Sequence, residues 1–548
     1  MNLNNYLNCI QGKESEYSLL LGDTDRIHAY VFETSKLPEI RGASQLLRTL
    51  ITDEFDRIFA KHFADASSVD RIENDANPGY RIYNNAGSCM AIVPTKKVEE
   101  FVTAITEEFI HETGDVTITF VHAPLSNLAS GKGRPTPGGR ISEWILESNK
   151  DELKGYMKLL RFLQYKLRME KKKKSYYPFT ESNPIVRRCD HCGKRPAVHK
   201  WEYKDETEYI CSICAKKRSE GEKSNILKIF EKKDDFWHNY KGEIPRDLDT
   251  LAGTSGNIGI IYADGNEMGK ILFEAQDLTQ FQSRSKEIED SIFDSLNPLL
   301  KEHAHGDILP FEVLNMAGDD IIMIIQAEYI LKFSLKLLSE FEKICSENLN
   351  DDITMALGAT IFRAKYPVRY AFEITKSLLK SAKQFSKQNE NKPQSSLSYL
   401  YMKSPIATFS SKEILDSYYR ISNEYYLTMR PYTCDEFRLL LKVASKIRED
   451  SILTSSQINA ISRSFEEKSL YSTMNFIKYQ TARMNSSKRR LFRKIIAELE
   501  KKFNLKDLDG TDGLPLWGKR RIDGNLVNAT PLLDVFEILE ISGGGSSE

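Results

Sequence analysis

The sequence predicts an α+β protein made of two related ferredoxin-like βαββαβ units, a four-cysteine zinc module between them and a C-terminal helical bundle. Three observations carry that prediction. Leu314-Asn315-Met316-Ala317-Gly318-Asp319-Asp320-Ile321-Ile322-Met323 sets an acidic pair on a small-residue turn between two apolar runs, as a β-hairpin tip requires. Upstream, the apolar run Ile260-Ile261-Tyr262 ends at Ala263-Asp264-Gly265-Asn266. Downstream, an amphipathic helix over 329–349, a strand over 353–362 and a helix over 367–383 complete the order β-α-β-β-α-β followed by a helix.

The N-terminal third repeats this plan. Leu19-Leu20-Leu21-Gly22-Asp23-Thr24-Asp25 parallels the run ending at Asp264, and Tyr83-Asn84-Asn85-Ala86-Gly87-Ser88-Cys89-Met90 parallels the later hairpin, with Ser88 and Cys89 in place of the acidic pair. Ser44 stands as far beyond Asp23 as Ser285 stands beyond Asp264. Three correspondences in one order argue for two related halves, of which only the second keeps an acidic hairpin.

An Asp-Asp pair after glycine, taken alone, is usually a solvated turn. Here a third carboxylate ends a strand that the predicted fold makes a neighbour. Asp264, Asp319 and Asp320 together would form an oxygen-rich cluster suited to magnesium or manganese, which favour carboxylate and water ligands. That is the arrangement of a palm-type phosphoryl-transfer site, where two ions about 3.5–4 Å apart bind a triphosphate, activate a ribose hydroxyl and neutralise the leaving pyrophosphate.

Between the halves lie Cys189-Asp190-His191-Cys192 and Cys211-Ser212-Ile213-Cys214, two CxxC knuckles separated by eighteen residues. Four soft ligands on short knuckles predict a closed, structural zinc site at Cys189, Cys192, Cys211 and Cys214, with His191 as a spare ligand. The remaining cysteines, Cys9, Cys89, Cys345 and Cys434, are scattered, which makes a disulfide framework a poor alternative.

The order of a degenerate first palm, a four-cysteine module, a second palm with Ala317-Gly318-Asp319-Asp320 where a GGDD motif is expected, and a helical C-terminal region resembles the large subunit of type III CRISPR effector complexes, the Cas-ten family of Cmr type. The resemblance covers nearly the whole chain. It implies a subunit that works with other type III subunits, a guide RNA and a target RNA. On target binding such a subunit turns ATP into a nucleotide messenger, a cyclic oligoadenylate or, in some members, an AMP conjugate of S-adenosylmethionine as co-substrate. Carried over by position, Asp264, Asp319 and Asp320 are the catalytic metal ligands. Gly265, Asn266, Gly318, Ser44, Ser285, Lys380, Lys383 and Lys387 are the nucleotide-binding candidates, although an exposed helical face explains the three lysines equally well. Asn266 stands where the family carries an aspartate, and Ala317 where it carries the first glycine. Alanine tolerates that turn unless its φ must be positive. The resemblance also predicts no DNase activity, because no His-Asp nuclease motif precedes the first palm. The alternatives are a silent scaffold subunit and a stand-alone GGDEF-like nucleotide cyclase. The first is opposed by the three retained aspartates, the second by the zinc module and the missing Glu-Phe continuation.

With 77 basic and 78 acidic residues the chain is no generic nucleic-acid coat. Local basic patches at Lys171–Lys174, Lys216-Lys217-Arg218, Lys488-Arg489-Arg490 with Arg493-Lys494, and Lys519-Arg520-Arg521 are the places for any RNA contact, each more readily read as a solvated face. No apolar stretch approaches the ~18 residues needed to span a bilayer, and the polar start argues for a cytoplasmic protein. The expected domains are a first palm with closing helices over 1–174, the zinc module over 175–250, the second palm over 251–405, a helical domain over 406–541 and a flexible tail over 542–548.

Overall fold

The computed structural model describes residues 2–67, 78–85, 87–126, 155–174, 185–203, 206–223, 227–275, 277–349, 353–388, 394–404, 410–467, 469–507, 515–522 and 524–542. Residues 141–154, expected to be helix-rich, Ala86, residues 389–393 and all but the first residue of the expected tail lie outside them, and the polar loop expected over 388–398 gives way to a strand from Ser396. The chain divides into two compact units: Met1–His238 with Glu267–Ile292 and Leu314–Asp320, and Asn239–Asn266 with Phe293–Val313 and Ile321–Glu548.

In the first unit, strands β1 (Tyr17–Thr24), β2 (Ala64–Asp65), β3 (Pro78–Asn85), β4 (Ser88–Pro94) and β5 (Ile118–Pro124) form one sheet in the order β2-β3-β4-β1-β5. The run β3-β4-β1-β5 with antiparallel neighbours is the ferredoxin-like arrangement. Within β1 the run Leu19–Leu21 is apolar without alternation because both faces of the strand are covered there. Leu19 and Leu21 pack with Leu160 and Leu163 of the helix Gly155–Lys173 in one core. The aromatic group Phe55, Phe59, Phe63 and Phe101, which reaches Phe120 of β5, packs in a second.

Strands β6 (His199–Tyr203) and β7 (Glu206–Ile210) make a two-stranded hairpin followed by the helix Ser212–Lys223. That helix crosses the helix Leu37–Thr49 at two glycines. A Cβ on Gly42 would overlap the Lys217 carbonyl oxygen, and one on Gly221 the Pro38 carbonyl oxygen. Backbone has nowhere to go at such a crossing, so Gly42→Ala is expected to lower stability by about 3 kcal/mol, at the upper end of overpacking penalties. Gly12→Ala, where a Cβ meets nothing within 4 Å and only the positive φ is strained, should lose about 1 kcal/mol. Paired urea titrations of the two variants test the difference.

The second sheet has the order β14-β12-β11-β8-β10-β9, from β8 (Asn257–Gly265), β9 (Phe311–Ala317), β10 (Asp320–Gln326), β11 (Met355–Arg363), β12 (Ser396–Tyr401) and β14 (Tyr432–Thr433), β13 being Tyr425–Tyr426 in another sheet. Its segment β11-β8-β10-β9 repeats the strand order of the first sheet, so the α+β reading with two ferredoxin-like sheets is what the structure contains. In the second unit, the helix Val368–Ser386 lies on this sheet. Its Phe372 stacks on Tyr262 of β8 at 5.7 Å, and its backbone approaches β11 closely enough that a Cβ on Gly358 would strike the Thr375 carbonyl.

The C-terminal region is helical, with Cys434–Glu449, Ser455–Glu466, Leu470–Arg483 and Ser486–Phe503. The first two open on capping boxes, Thr433 with Glu436 and Thr454 with Gln457. The region also holds a three-stranded sheet, β13-β16-β15, with β15 at Gly518–Ile522 and β16 at Asn525–Ala529, which the reading of a purely helical bundle missed. Lys519-Arg520-Arg521 therefore lies on a strand. Arg520 pairs with Glu436 at 2.8 Å and lies over the Phe385 ring at 4.5 Å, which makes it packing rather than a free basic patch. No described helix is long and apolar enough to cross a membrane.

Candidate functional site

Asp264 is the penultimate residue of β8, and the backbone turns sharply after it. The Asn266 N–H donates to the Thr354 carbonyl at 2.8 Å, and Glu267 adopts a left-handed φ of 57°. Asn266 is buried, and its Nδ2 donates to Thr354 Oγ1 at 3.0 Å. Its amide thus ties the end of β8 to the start of β11. Lys383 forms an ion pair with Asp264 Oδ1, its side chain 31 % and that of Asp264 20 % exposed. Tyr262 and Asp264 share one face of β8, and three helical turns carry the chain from Phe372, stacked on Tyr262, to Lys383. Lys380 and Lys387, one turn to either side of Lys383, are exposed.

The hairpin tip follows β9 at Gly318 and Asp319, with Asp320 opening β10, which neighbours β8 in the sheet. The left-handed position falls on Gly318, φ 62°, so Ala317 in place of a glycine leaves the residue that needs freedom unchanged. Asp319 and Asp320 are half-buried. Ser44 donates its hydroxyl to the Leu314 carbonyl on β9, while Ser285 is half-buried on the helix Leu278–His303.

The first sheet repeats this construction in backbone and side chain. The Asp25 N–H donates to the Thr117 carbonyl at 2.7 Å, Arg26 has φ 60°, and Gly87 at the hairpin tip has φ 82°. Lys171, on the helix after β5, pairs with Asp23 and lies 3.2 Å from Asp25, and Lys174 reaches Asp25 at 2.8 Å. Thr117 and Thr119 add hydroxyl hydrogen bonds to Asp25, each 2.8 Å. Burial pushes both carboxyls up. It prevails at Asp23 despite Lys171, and is outweighed at Asp25, where Lys174, Thr119 and Thr117 hold the group below the usual carboxylate range. Lys171 and Lys174 are thus committed to ion pairs rather than to a solvated patch. In the register of this sheet Asp23 faces Ser88.

Cys189, Cys192, Cys211 and Cys214 place four sulfurs within 4.8 Å of one another. The Gly193 N–H donates to the Cys189 carbonyl at 2.9 Å with φ 66°, and the Ala215 N–H to the Cys211 carbonyl at 3.0 Å, the tight turns that fold CxxC segments around an ion. Hydrogen bonding with Cys189 pulls the Cys192 thiol down, while bonds with Cys189, Cys192 and Cys211 push Cys214 up. Four sulfurs so close make a closed, soft donor set that fits zinc. His191 is not a spare ligand: its ring is buried between Glu39, bonded at Nδ1, and Glu208, 2.9 Å from Nε2. Lys217 is equally buried, donating to the Tyr30 carbonyl at 2.8 Å and to Glu33 at 2.9 Å. Burial alone would raise the Glu33 carboxyl, but Lys217 and Arg195 hold it down at about 2. Lys217 and Arg218 therefore form no nucleic-acid patch. Their burial is signalled only weakly in sequence, by the CxxC knuckle that anchors their helix.

Among the described residues, two groups gather three or more possible metal-ligand atoms within 4.8 Å: the four cysteines, and Glu108, His111 and Glu112 on a helix surface. Neither group includes Asp264, Asp319 or Asp320. Their carboxylate oxygens are the donor type that magnesium or manganese favours, and Lys383 pairs with Asp264.

Residues 257–392 match the family model of the Cas10/Cmr2 second palm domain. No curated protein matches the chain. A chain of the Csm1–Csm4 cassette crystallised with cA4 has a TM-score of 0.53 at 11% identity, covering 97% of this chain and 70% of that one. One from the cassette with pppApA has a TM-score of 0.51 at 11% identity, covering 98% and 71%. In the cassette with pppApApA the values are 0.43 and 13%, and this chain spans about half of that chain, 53%. At such identities the likeness is one of fold. The matched segment and the order of motifs in the sequence point to one family: residues 257–392 are similar to the second palm domain of Cas10/Cmr2.

Proposed function

We propose that this chain is the large subunit of a type III CRISPR effector complex and that its second palm makes a nucleotide messenger from ATP when the complex binds target RNA. The supporting observation is the family match over 257–392, which runs from the first residue of β8 past the helix that carries Lys383 and takes in Asp264 and the Gly318-Asp319-Asp320 hairpin. Relatives in fold have been crystallised with cA4 and pppApA, which supports adenine nucleotides as the substrate class.

In this reading Asp264, Asp319 and Asp320 hold magnesium or manganese, with the Gly265 carbonyl beside them. The ions, when bound, supply the charge that acidifies a ribose 3′-hydroxyl and stabilises the leaving pyrophosphate. Lys380, Lys383 and Lys387, on one helix face, bind triphosphate. Ser44 and Ser285 contact nucleotide, for which Ser44 must release the Leu314 carbonyl. The 3′-oxygen forms the new bond to the α-phosphorus as the bond to pyrophosphate breaks. Asn266 keeps its place among the nucleotide-binding candidates through its Oδ1, while its Nδ2 fastens the strand end to Thr354 and so positions Asp264. The partners are the other type III subunits, guide RNA and target RNA. Zinc at the four cysteines is structural.

The test is to assemble the complex on a guide RNA, add cognate or mismatched-flank target, ATP and magnesium or manganese, with and without S-adenosylmethionine, and identify products by mass spectrometry. A target-dependent product is expected, falling by about 10³-fold in an Asp319→Ala, Asp320→Ala variant that still assembles. Its mass separates an oligoadenylate from a methionine conjugate. Stable target binding with no product under any condition would overturn the enzyme reading and leave a scaffold.

A further inference from the structure

The two palms solve the same charge problem in the same place. In the first, two carboxylates at and just beyond the end of β1, Asp23 and Asp25, meet two ammonium groups, Lys171 on the helix Gly155–Lys173 and Lys174 immediately after it. In the second, Asn266 replaces the second carboxylate, and one carboxylate, Asp264, meets one ammonium, Lys383, from the helix that follows β11. Each strand end is charge-balanced by its own helix.

The pairs differ in how firmly they are held. Lys171 also donates to the Thr24 carbonyl at 3.1 Å, Lys174 to the Ile118 carbonyl at 3.2 Å, and Asp25 is buried under two threonine hydroxyls. Lys383 pairs with Asp264, both side chains are partly exposed, and the exposed Lys380 and Lys387 flank it along the helix.

Resting on the reading of the second palm given above, we propose that Lys383 is a displaceable counter-ion. It neutralises Asp264 until a divalent cation and a polyphosphate arrive together, and so couples their binding. A cation approaching Asp264 alone must displace the ammonium and leave it nearby with no anion, so like charges oppose entry. A triphosphate gives the displaced ammonium a new partner beside Lys380 and Lys387. Each ligand therefore removes an obstacle to the other, which is positive coupling between two binding events. The pairing in the first palm is the fixed version of the same device.

The experiment measures Mn²⁺ binding to the assembled complex by electron paramagnetic resonance, with and without α,β-methylene-ATP, for the wild type, Lys383→Met, Lys383→Arg and the Asp319→Ala, Asp320→Ala variant. In the wild type the analogue is expected to tighten Mn²⁺ by about fivefold or more, the lower end of measured couplings. Lys383→Met should bind Mn²⁺ alone about fivefold more tightly than the wild type and lose most of the nucleotide dependence, while Lys383→Arg retains it. Mn²⁺ binding that is lost in the double aspartate variant but indifferent to Lys383→Met overturns the counter-ion role and leaves the palm reading standing. Mn²⁺ binding that the aspartate variant does not change overturns the metal site itself, and the counter-ion role with it.

Discussion

Replacing Arg430 with methionine is expected to lower the stability of the second unit by about 3–5 kcal/mol, the usual result of removing one member of a buried ionic group. Arg430 is fully buried. Its Nη2 lies 2.9 Å from Asp534 and also pairs with Glu537, its Nη1 donates to the Tyr419 hydroxyl at 3.1 Å, and its guanidinium lies 3.7 Å from the Tyr399 ring centre. Asp534 further accepts from the Thr428 hydroxyl at 2.9 Å and the Met429 N–H at 3.1 Å, and bonds Tyr432. These bonds fasten the helix Leu532–Ser542 to the strands and turns around Tyr399 and Tyr432. Methionine keeps the apolar bulk but leaves two carboxylates buried without a cation.

The loss should depend on pH in a direction the structure fixes. Burial raises the Asp534 carboxyl to about 6, against an ordinary value of 3.8, even with Arg430 pulling it down. A raised acid holds its proton in the folded state after the unfolded chain has released it. Its contribution is therefore complete below about 3.8 and is lost as pH rises through about 6. Without Arg430 the carboxyl moves higher still, so the variant keeps losing stability above pH 6, where the wild-type contribution is level. Urea midpoints and hydrogen exchange of the helix Leu532–Ser542 at pH 5, 6, 7 and 8 should show the gap between the proteins widening with pH. A constant gap would mean that Asp534 is already ionised at pH 5. A change of Arg430, Asp534 and Glu537 to apolar residues together should recover much of the loss, because no unpaired charge then remains.

What the sequence revealed of this fold was local. The apolar runs of β1 and β8, the glycine at each hairpin tip and the CxxC knuckles are short-range patterns whose physics acts within a few residues. What it hid depends on partners far apart in the chain. Lys171 reads as one of four lysines in a solvated run, and only the fold brings it 148 residues back to Asp23. Lys383 meets Asp264 across 119 residues, so the helix face could be predicted while its partner could not. His191 sits between two cysteines, and its diversion to Glu39 and Glu208 follows from the docking of another helix. One missed element did carry a signal. Gly524, φ 84°, lies between two five-residue strands, and the sequence there reads Asp-Gly, a hairpin dipeptide next to the basic run 519–521.

Removal of zinc is expected to have the larger reach. The hairpin β6–β7 and the start of the next helix enclose a core of Ile210 and the cysteines, with Trp201, Ile213 and Ala215 packed against it, far too little apolar surface to hold a fold by itself. Structural zinc in such modules contributes about 10–16 kcal/mol at neutral pH, comparable to the ~5–15 kcal/mol that stabilises a whole domain. Metal analysis should therefore find one zinc per chain, lost in Cys211→Ser, Cys214→Ser, and a chelator should abolish hydrogen-exchange protection over 189–223. The effect should also spread into the first palm by a definite route. With the helix Ser212–Lys223 undocked, Glu33 loses Lys217, Glu39 loses His191, and the Gly42–Gly221 crossing opens, leaving buried carboxylates on the segment that leads to Ser44. Protection of the helix Leu37–Thr49 should fall with that of the cysteine segment, while the helix Leu532–Ser542 in the other unit keeps its own. A zinc-free protein with both segments still protected would show that the four cysteines hold the module together without a metal.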